Sequence, residues 1–263
     1  MRARRPHVVV HVAVSVDGAT TGFEPDVERF YELAQTWHED VTLTGADTIL
    51  AQRDALARAP RTGPAPDGPL LAVVDGRGRV EDWGALRECG RWSDVLALRG
   101  TAWRPDGRDV RQLVTRGRRV NLPAALRALG EREGARVVRV DSGGALTGAL
   151  LRRGLVDELS LLIHPCVSGS GRVWHGPAPA PAIELEPVGS ESVGDGLTWV
   201  RYRTALDPDT PLRYSEDRWR KADAASRATS MTSRASRGAW PGSRARSEAS
   251  AGWSSRRRTA STS

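Results

Sequence analysis

The chain is almost without lysine: Lys221 stands alone against thirty-eight arginines. Together with abundant Ala and Gly, that bias points to a GC-rich genome and says nothing about function. The two cysteines, Cys89 and Cys166, are far apart in sequence, which excludes a disulfide framework. No apolar run approaches the ~20 residues of a membrane span. The apolar stretch Val8 to Val14 runs straight into Ser15-Val16-Asp17-Gly18 and does not make a signal peptide. The expected location is the cytoplasm, with no membrane partner. A Walker loop, a Gly-x-Ser-x-Gly elbow and a His-x-Glu with Pro-Cys-x-x-Cys zinc signature are also missing. His164-Pro165-Cys166 and His175 lack metal-ligand spacing, so no metal is expected.

What charge there is divides unevenly. Residues 1–206 hold 27 Arg against 26 acids, while residues 207–263 hold 11 Arg and one Lys against 6. Six of the seven net positive charges therefore belong to the last 57 residues. That segment has twelve Ser, few aliphatics and no periodicity, and cannot bury enough apolar surface to offset chain entropy. The expected organisation is a folded domain over 1–206 and a basic, Ser/Arg-rich disordered tail over 207–263. A nucleic-acid partner, if any, would use the tail alone.

Within the first part, strands alternate with helices. Strands are expected at 8–16, 41–44, 70–74, 95–98, 137–140, 159–163 and 197–202. Helices are expected from the Asp26 cap, from Ala46 to Ala51, from Pro123 to Leu129 and from Ala145 to Arg153, stopped by Gly154. Residues 59–69, with four prolines, read as a loop. The alternation implies an α/β fold with a mostly parallel central sheet covered on both faces. Ligands in such sheets bind beyond the carboxyl ends of the strands.

Four strand ends draw attention there. Asp141-Ser142-Gly143-Gly144-Ala145-Leu146-Thr147 joins a buried strand to a helix. Its glycines allow close approach or positive φ, its first-turn N–H groups suit an anion, and Thr147 adds a hydroxyl. Thr44-Gly45-Ala46-Asp47-Thr48 repeats the pattern. Ser15-Val16-Asp17-Gly18 reads as a type I′ or II′ turn or as a ligand loop, and Asp75-Gly76 closes a fourth strand. Each is also an ordinary turn; two similar βα turns in one sheet favour a phosphate-bearing cofactor. Asp157 and Glu158 read as surface residues.

In this order, Ala13 to Gly18, Thr44 to Ala51, Val73 to Asp75, Asp141 to Gly144 and Gly154 to Pro165 resemble the reductase domain of the bifunctional riboflavin-biosynthesis deaminase–reductase, a dihydrofolate-reductase-like fold. The resemblance spans residues 7 to about 204. It implies NADPH-dependent reduction of the ribosyl group of 5-amino-6-(5-phosphoribosylamino)uracil, or of its diamino precursor, to ribityl. It places Ala13, through its backbone, with Gly45, Thr48, Gln52 and Gly76 beside the cofactor and wraps Gly143, Gly144, Ala145, Leu146 and Thr147 around its phosphates. It sets Asp141, Leu56 and Arg58 against the phosphorylated pyrimidine, with Arg61 a further phosphate ligand. It makes Asp17 the group that orients substrate or relays a proton, and the protein a homodimer. With no zinc signature, the chain would be a reductase only. Asp141 stands where the family usually has Glu. Two alternatives stay open: a related reductase acting on another pterin or heteroaromatic ring, and a non-catalytic nucleotide- or nucleic-acid-binding protein using the basic tail.

Overall fold

In the computed structural model the chain runs β1 (His7–Ser15), α1 (Val27–Ala34), β2 (Val41–Gly45), α2 (Ala46–Ala51), α3 (Arg53–Arg58), β3 (Leu70–Val74), α4 (Trp83–Glu88), β4 (Asp94–Gly100), β5 (Arg111–Thr115), α5 (Leu122–Arg132), β6 (Val137–Val140), α6 (Gly144–Leu151), β7 (Glu158–His164), β8 (Leu185–Ser192) and β9 (Thr198–Thr204). The structure describes residues 5–101, 107, 109–169, 171–176 and 182–204. The expected tail, 207–263, lies outside them, as does Ser170.

A nine-stranded sheet in the order β5-β4-β3-β2-β6-β1-β7-β9-β8 organises the fold. Every neighbouring pair from β5 to β7 is parallel; β9 and β8 are antiparallel additions. The α/β class expected above holds, with helices on both faces. Alternation along each strand decides which side chains face which layer. Val8, Val10, Val12 and Val14 of β1, with Leu43, Ala72, Leu96 and Val140, pack against Leu122, Leu126 and Leu129 of α5 and Leu150 of α6. On the opposite face the apolar core is in two pieces. One packs Leu71, Val73, Val95 and Ala97 under α2, α3 and α4; the other packs Leu162 and Ala13 under Phe30 and Leu33 of α1.

Local signals explain the helix starts. Asp26, Asp82 and Asn121 each accept an N–H of the first turn of α1, α4 and α5 with their side chains. Gly154, at φ 60°, stops α6, as expected. Four elements were not expected: α3, α4, β5 and β8. β5 buries only Leu113 and Thr115, so it carries no apolar run. β8 is exposed along its length and contains Pro187 and Gly189, composition tolerated only on a sheet edge. No helix among the described residues is long and apolar enough to cross a membrane.

Candidate functional site

A cleft opens where neighbouring strands send their helices to opposite faces. β2 and β6 are adjacent, yet α2 packs in one layer and α6 in the other. That divergence leaves a crevice beyond the strand ends. It is continuous with a polar strip on the face whose core is split: Thr42 on β2 and Arg139 on β6, paired side by side and both buried, separate the two apolar pieces. The cleft has a volume of about 1940 Å³. Drug-sized pockets span about 300–1,000 Å³, so this one has room for a dinucleotide and a second small molecule.

The two glycine turns named from sequence are locked into one unit. Ser142 Oγ accepts from the Gly45 backbone N–H at 3.2 Å and lies 3.2 Å from Thr48 Oγ1. Thr48 Oγ1 in turn accepts from the Gly143 N–H at 3.4 Å. The two glycines of the second turn have different work. A side chain at Gly143 would meet nothing within 4 Å, so its backbone is bare toward the cleft at the N-terminus of α6. A Cβ at Gly144 would stand 2.3 Å from the Val173 carbonyl oxygen and 2.6 Å from the Gly176 nitrogen. Gly144 is thus a packing glycine that lets the 173–176 loop close over α6. Neither has positive φ, so the conformational reason expected for them gives way to close approach.

Ala13, Gly45, Thr48, Gln52, Leu56, Gly76, Asp141, Gly143, Gly144, Ala145 and Leu146 all line the cleft. Four expected site residues do not. Thr147 is fully buried and its hydroxyl donates to the Ser142 carbonyl at 3.2 Å, so it braces the turn instead of facing an anion. Arg58 is exposed at the end of α3, outside the lining; Arg61 is occupied by Asp82 and Glu88 at 3.6 and 3.5 Å. Asp17 accepts from Ser15 Oγ at 2.5 Å and from the backbone N–H groups of Ser168 and Gly169 at 3.0 and 2.9 Å. Those bonds, the serine's first, hold its carboxyl at about 2. A carboxylate so engaged ties the 168–169 loop to the end of β1 and is not a proton relay. The turn around it is not of a primed type either, because Val16 and Asp17 keep negative φ and only Gly18 is positive.

Other groups near the strand ends are structural as well. Asp75 is buried at the end of β3. Burial raises its pKa, but the N–H groups of Arg79 and Val80 and the Arg99 guanidinium outweigh that and hold it below the usual carboxylate range. Asp157 and Glu158 are half-buried, not free on the surface: Asp157 takes a two-pronged bond from Arg5 at 2.6 and 2.7 Å, and Glu158 accepts from Trp37 Nε1 at 3.1 Å. His164 Nε2 accepts from the Asp26 N–H at 2.9 Å, which seats the start of α1 on β7.

His11, at the floor of the cleft, forms a chain of fixed polarity. Its Nε2 donates to the Phe30 carbonyl at 3.0 Å, so its Nδ1 accepts from Ser160 Oγ at 2.9 Å, which itself accepts from Trp199 Nε1 at 2.7 Å. Burial pulls the imidazole down to about 3. The native protein therefore holds His11 neutral where the unfolded chain, titrating near 6.5, takes up a proton. Stability conferred by this group is complete above about pH 6.5 and is lost as pH falls toward 3, by roughly 5 kcal/mol in all. In thermal melts from pH 7.5 to 4, His11→Asn is expected to flatten the acid slope of Tm; an unchanged slope assigns acid lability elsewhere.

A profile of the RibD C-terminal domain matches residues 6–199. The chain belongs to the RibD C-terminal domain family. It is 28% identical over 217 residues to the 2,5-diamino-6-ribosylamino-4(3H)-pyrimidinone 5′-phosphate reductase of Archaeoglobus fulgidus, covering 73% of this chain and 96% of that protein. The enzyme of the same name from Methanothermobacter thermautotrophicus is 28% identical over 179 residues, covering 63% of this chain and 80% of the other. Among solved structures, Acinetobacter baumannii RibD superposes with a TM-score of 0.60 at 21% identity; the match covers 77% of this chain and 59% of that one. The riboflavin biosynthesis reductase Rib7 of Saccharomyces cerevisiae superposes at 0.59 and 19% identity, over 76% of this chain and 90% of its own. The RibD C-terminal fold is thus shared with a longer RibD chain and with shorter reductases.

Several residues in and beside the cleft carry no motif and were missed by sequence reasoning. Tyr31 donates to Asp141 Oδ2 at 3.3 Å. Arg139 binds Glu39 at 2.7 Å and Asp141 at 3.4 Å. Arg77, Arg118 and Arg119 line the same cleft because the loop after β5 packs on Gly76, with Val120 Cγ2 3.5 Å from where a Gly76 Cβ would be. The one available signal was an arginine inside the otherwise apolar strand Val137-Val138-Arg139-Val140, since a buried cation demands a partner.

Proposed function

We propose that this chain is a cytoplasmic, homodimeric NADPH-dependent reductase of riboflavin biosynthesis. It reduces the ribosyl group of 5-amino-6-(5-phosphoribosylamino)uracil or its diamino precursor to ribityl. One observation carries the reading: Gly143 leaves a bare helix N-terminus at the floor of a dinucleotide-sized cleft, pinned through Ser142 to the second βα turn. Backbone N–H groups and the dipole of α6 hold the pyrophosphate there. β3 lies two strands from β6 across the sheet, about 10 Å away. Arg77, Arg118 and Arg119 line the cleft on the β3 side with no acidic partner among the described residues, as a 2′-phosphate needs. Ala13 and Thr48 then border the nicotinamide end, near Asp141. A nicotinamide held there would supply the hydride that C1′ of the sugar takes up while its bond to the ring oxygen breaks and that oxygen is protonated, turning ribosyl into ribityl. Arg91, which lines the cleft near Tyr31, serves the substrate phosphate. The exposed edge strand β8, with Leu185 and Val188 at its surface, is the kind of edge a second copy covers.

Arg77→Ala and Arg118→Ala are each expected to weaken NADPH binding about tenfold and to leave NADH binding unchanged, because a charge-assisted phosphate contact is worth about 1.5–3 kcal/mol. Titrations followed by nicotinamide fluorescence read this. Equal losses for the two cofactors would remove these arginines from the 2′-phosphate site.

A further inference from the structure

Two loops beside the cleft are zipped into one arm. One follows β1 and the other follows β7. Asp17 of the first accepts the Ser168 and Gly169 N–H groups of the second, and Ser168 Oγ donates to the Thr21 carbonyl at 2.7 Å. Arg172 is gripped from both sides. Its carbonyl accepts from the Thr20 N–H at 2.7 Å and from Thr20 Oγ1 at 3.0 Å, while its N–H donates to Thr21 Oγ1 at 2.9 Å. Ala19 and Val173 then pair as an antiparallel bridge. Beyond Arg172 the arm is seated on α6. Val173 and Gly176 close over Gly144, and a Cβ at Gly148 would stand 2.2 Å from the His175 carbonyl oxygen.

The arm thereby carries a cation to the start of α6. Arg172 stands one residue before the Val173 carbonyl that lies over Gly144, and it lines the cleft. Its side chain is exposed and has no acidic partner among the described residues. Charge balance at the phosphate turn asks for such a group. A pyrophosphate linkage carries about two negative charges, and a helix N-terminus supplies roughly half a positive one. Arg77 follows β3, two strands from β6. Arg153 follows the last turn of α6, about 13 Å along the axis from Gly144, and its Nη1 donates to the Ala149 carbonyl.

We propose that Arg172 is the side-chain ligand of the cofactor pyrophosphate and that Asp17 is a positioning residue for it. The guanidinium donates to phosphoryl oxygens from one side, and the bare backbone at Gly143 donates from the other. Asp17 acts through the arm. Its two backbone bonds hold the second loop against the first, and Thr20 and Thr21 then fix the Arg172 backbone. A charged side chain on a fixed backbone loses less freedom on binding than one on a loose loop. NADPH and NADH share the pyrophosphate, so Arg172 differs in kind from the arginines assigned to the 2′-phosphate. This rests on the NADPH reading above and adds the residue that neutralises the linkage and the one that holds it in place.

The test is the affinity of Arg172→Ala, Arg172→Lys, Asp17→Asn and the double variant Asp17→Asn/Arg172→Ala for three ligands, with Tm in parallel. The ligands are NADPH, NADH and 2′-AMP, which has the 2′-phosphate and no pyrophosphate. Arg172→Ala is expected to weaken NADPH and NADH alike, by about tenfold. It leaves 2′-AMP affinity and Tm at wild-type values, because the side chain is exposed. Arg172→Lys keeps the charge without the planar fork and loses about threefold. Asp17→Asn weakens both cofactors about threefold and adds nothing in the double variant, a coupling that a purely structural bond does not give. Wild-type affinity for both cofactors in Arg172→Ala overturns the inference alone. A loss confined to NADPH also overturns it, because Arg172 then serves the 2′-phosphate. Additive losses in the double variant remove the positioning role of Asp17. A wild type that binds neither NADPH nor NADH overturns the reading beneath.

Discussion

Gly143→Asp is expected to weaken NADPH binding by about 100-fold while leaving thermal stability near that of the wild type. The φ of −69° at Gly143 suits any residue, and its Cβ direction is empty. A carboxylate there suits the N-terminus of α6 but occupies the phosphate position with like charge, worth about 3 kcal/mol at short range. The adjacent substitution behaves in the opposite way. Gly144→Ala drives a methyl group into the backbone of Val173 and Gly176, neither of which is a flexible side-chain tip. It is expected to cost about 3 kcal/mol of stability, with cofactor affinity in the folded fraction less affected. Denaturation curves and fluorescence titrations of the two variants separate a glycine kept for a ligand from one kept for packing. Matching stability losses in both would contradict the assignment.

The largest stability effect is expected at Asp75. Its carboxylate binds Arg99 Nη1 at 2.8 Å, and Arg99 Nη1 also donates to the Asp75 carbonyl. Both side chains are fully buried, with the guanidinium 5.6 Å from the Trp83 ring centre. Asp75→Asn removes the buried carboxylate from the Arg99 guanidinium and from the Arg79 and Val80 N–H groups, a loss of about 3–5 kcal/mol. The double variant Asp75→Asn/Arg99→Leu removes the buried cation as well and is expected to recover part of that loss. Urea denaturation reads both. An Asp75→Asn variant as stable as the wild type would mean that the pair contributes nothing. Asp75 was singled out in the sequence as a strand-end ligand candidate. It is the anchor beneath Gly76 and Arg77 instead, so the loop that carries the proposed 2′-phosphate contact depends on it.

That reversal shows where sequence was informative. Six of the seven parallel strands are apolar enough to leave a readable run; β5, which buries only Leu113 and Thr115, is not. The antiparallel pair was half legible: β9 carries Trp199 and Val200 inward, whereas β8 faces solvent and has no periodicity to find. Gly45, Thr48, Asp141 and Gly143 were legible because a strand followed by a small residue and a helix start is a local pattern. Tyr31, Arg139, Arg77 and Arg118 were not, because they meet only after β6 inserts between β1 and β2 and the loop after β5 folds back on Gly76. Asp17 misled for a related reason. An acid at a strand end looks the same in sequence whether it faces a ligand or, as here, two backbone N–H groups of a loop some 150 residues away.

The central claim is that this cleft binds NADPH and passes its hydride to a ribosylaminopyrimidine phosphate. The most direct measurement incubates purified protein with NADPH and the 2,5-diamino-6-ribosylamino-pyrimidinone phosphate, following absorbance of the reduced nicotinamide and the mass of the product. The account predicts stoichiometric loss of NADPH and a product heavier by two hydrogens. Absence of NADPH binding at high micromolar cofactor, or oxidation without the heavier product, would contradict it.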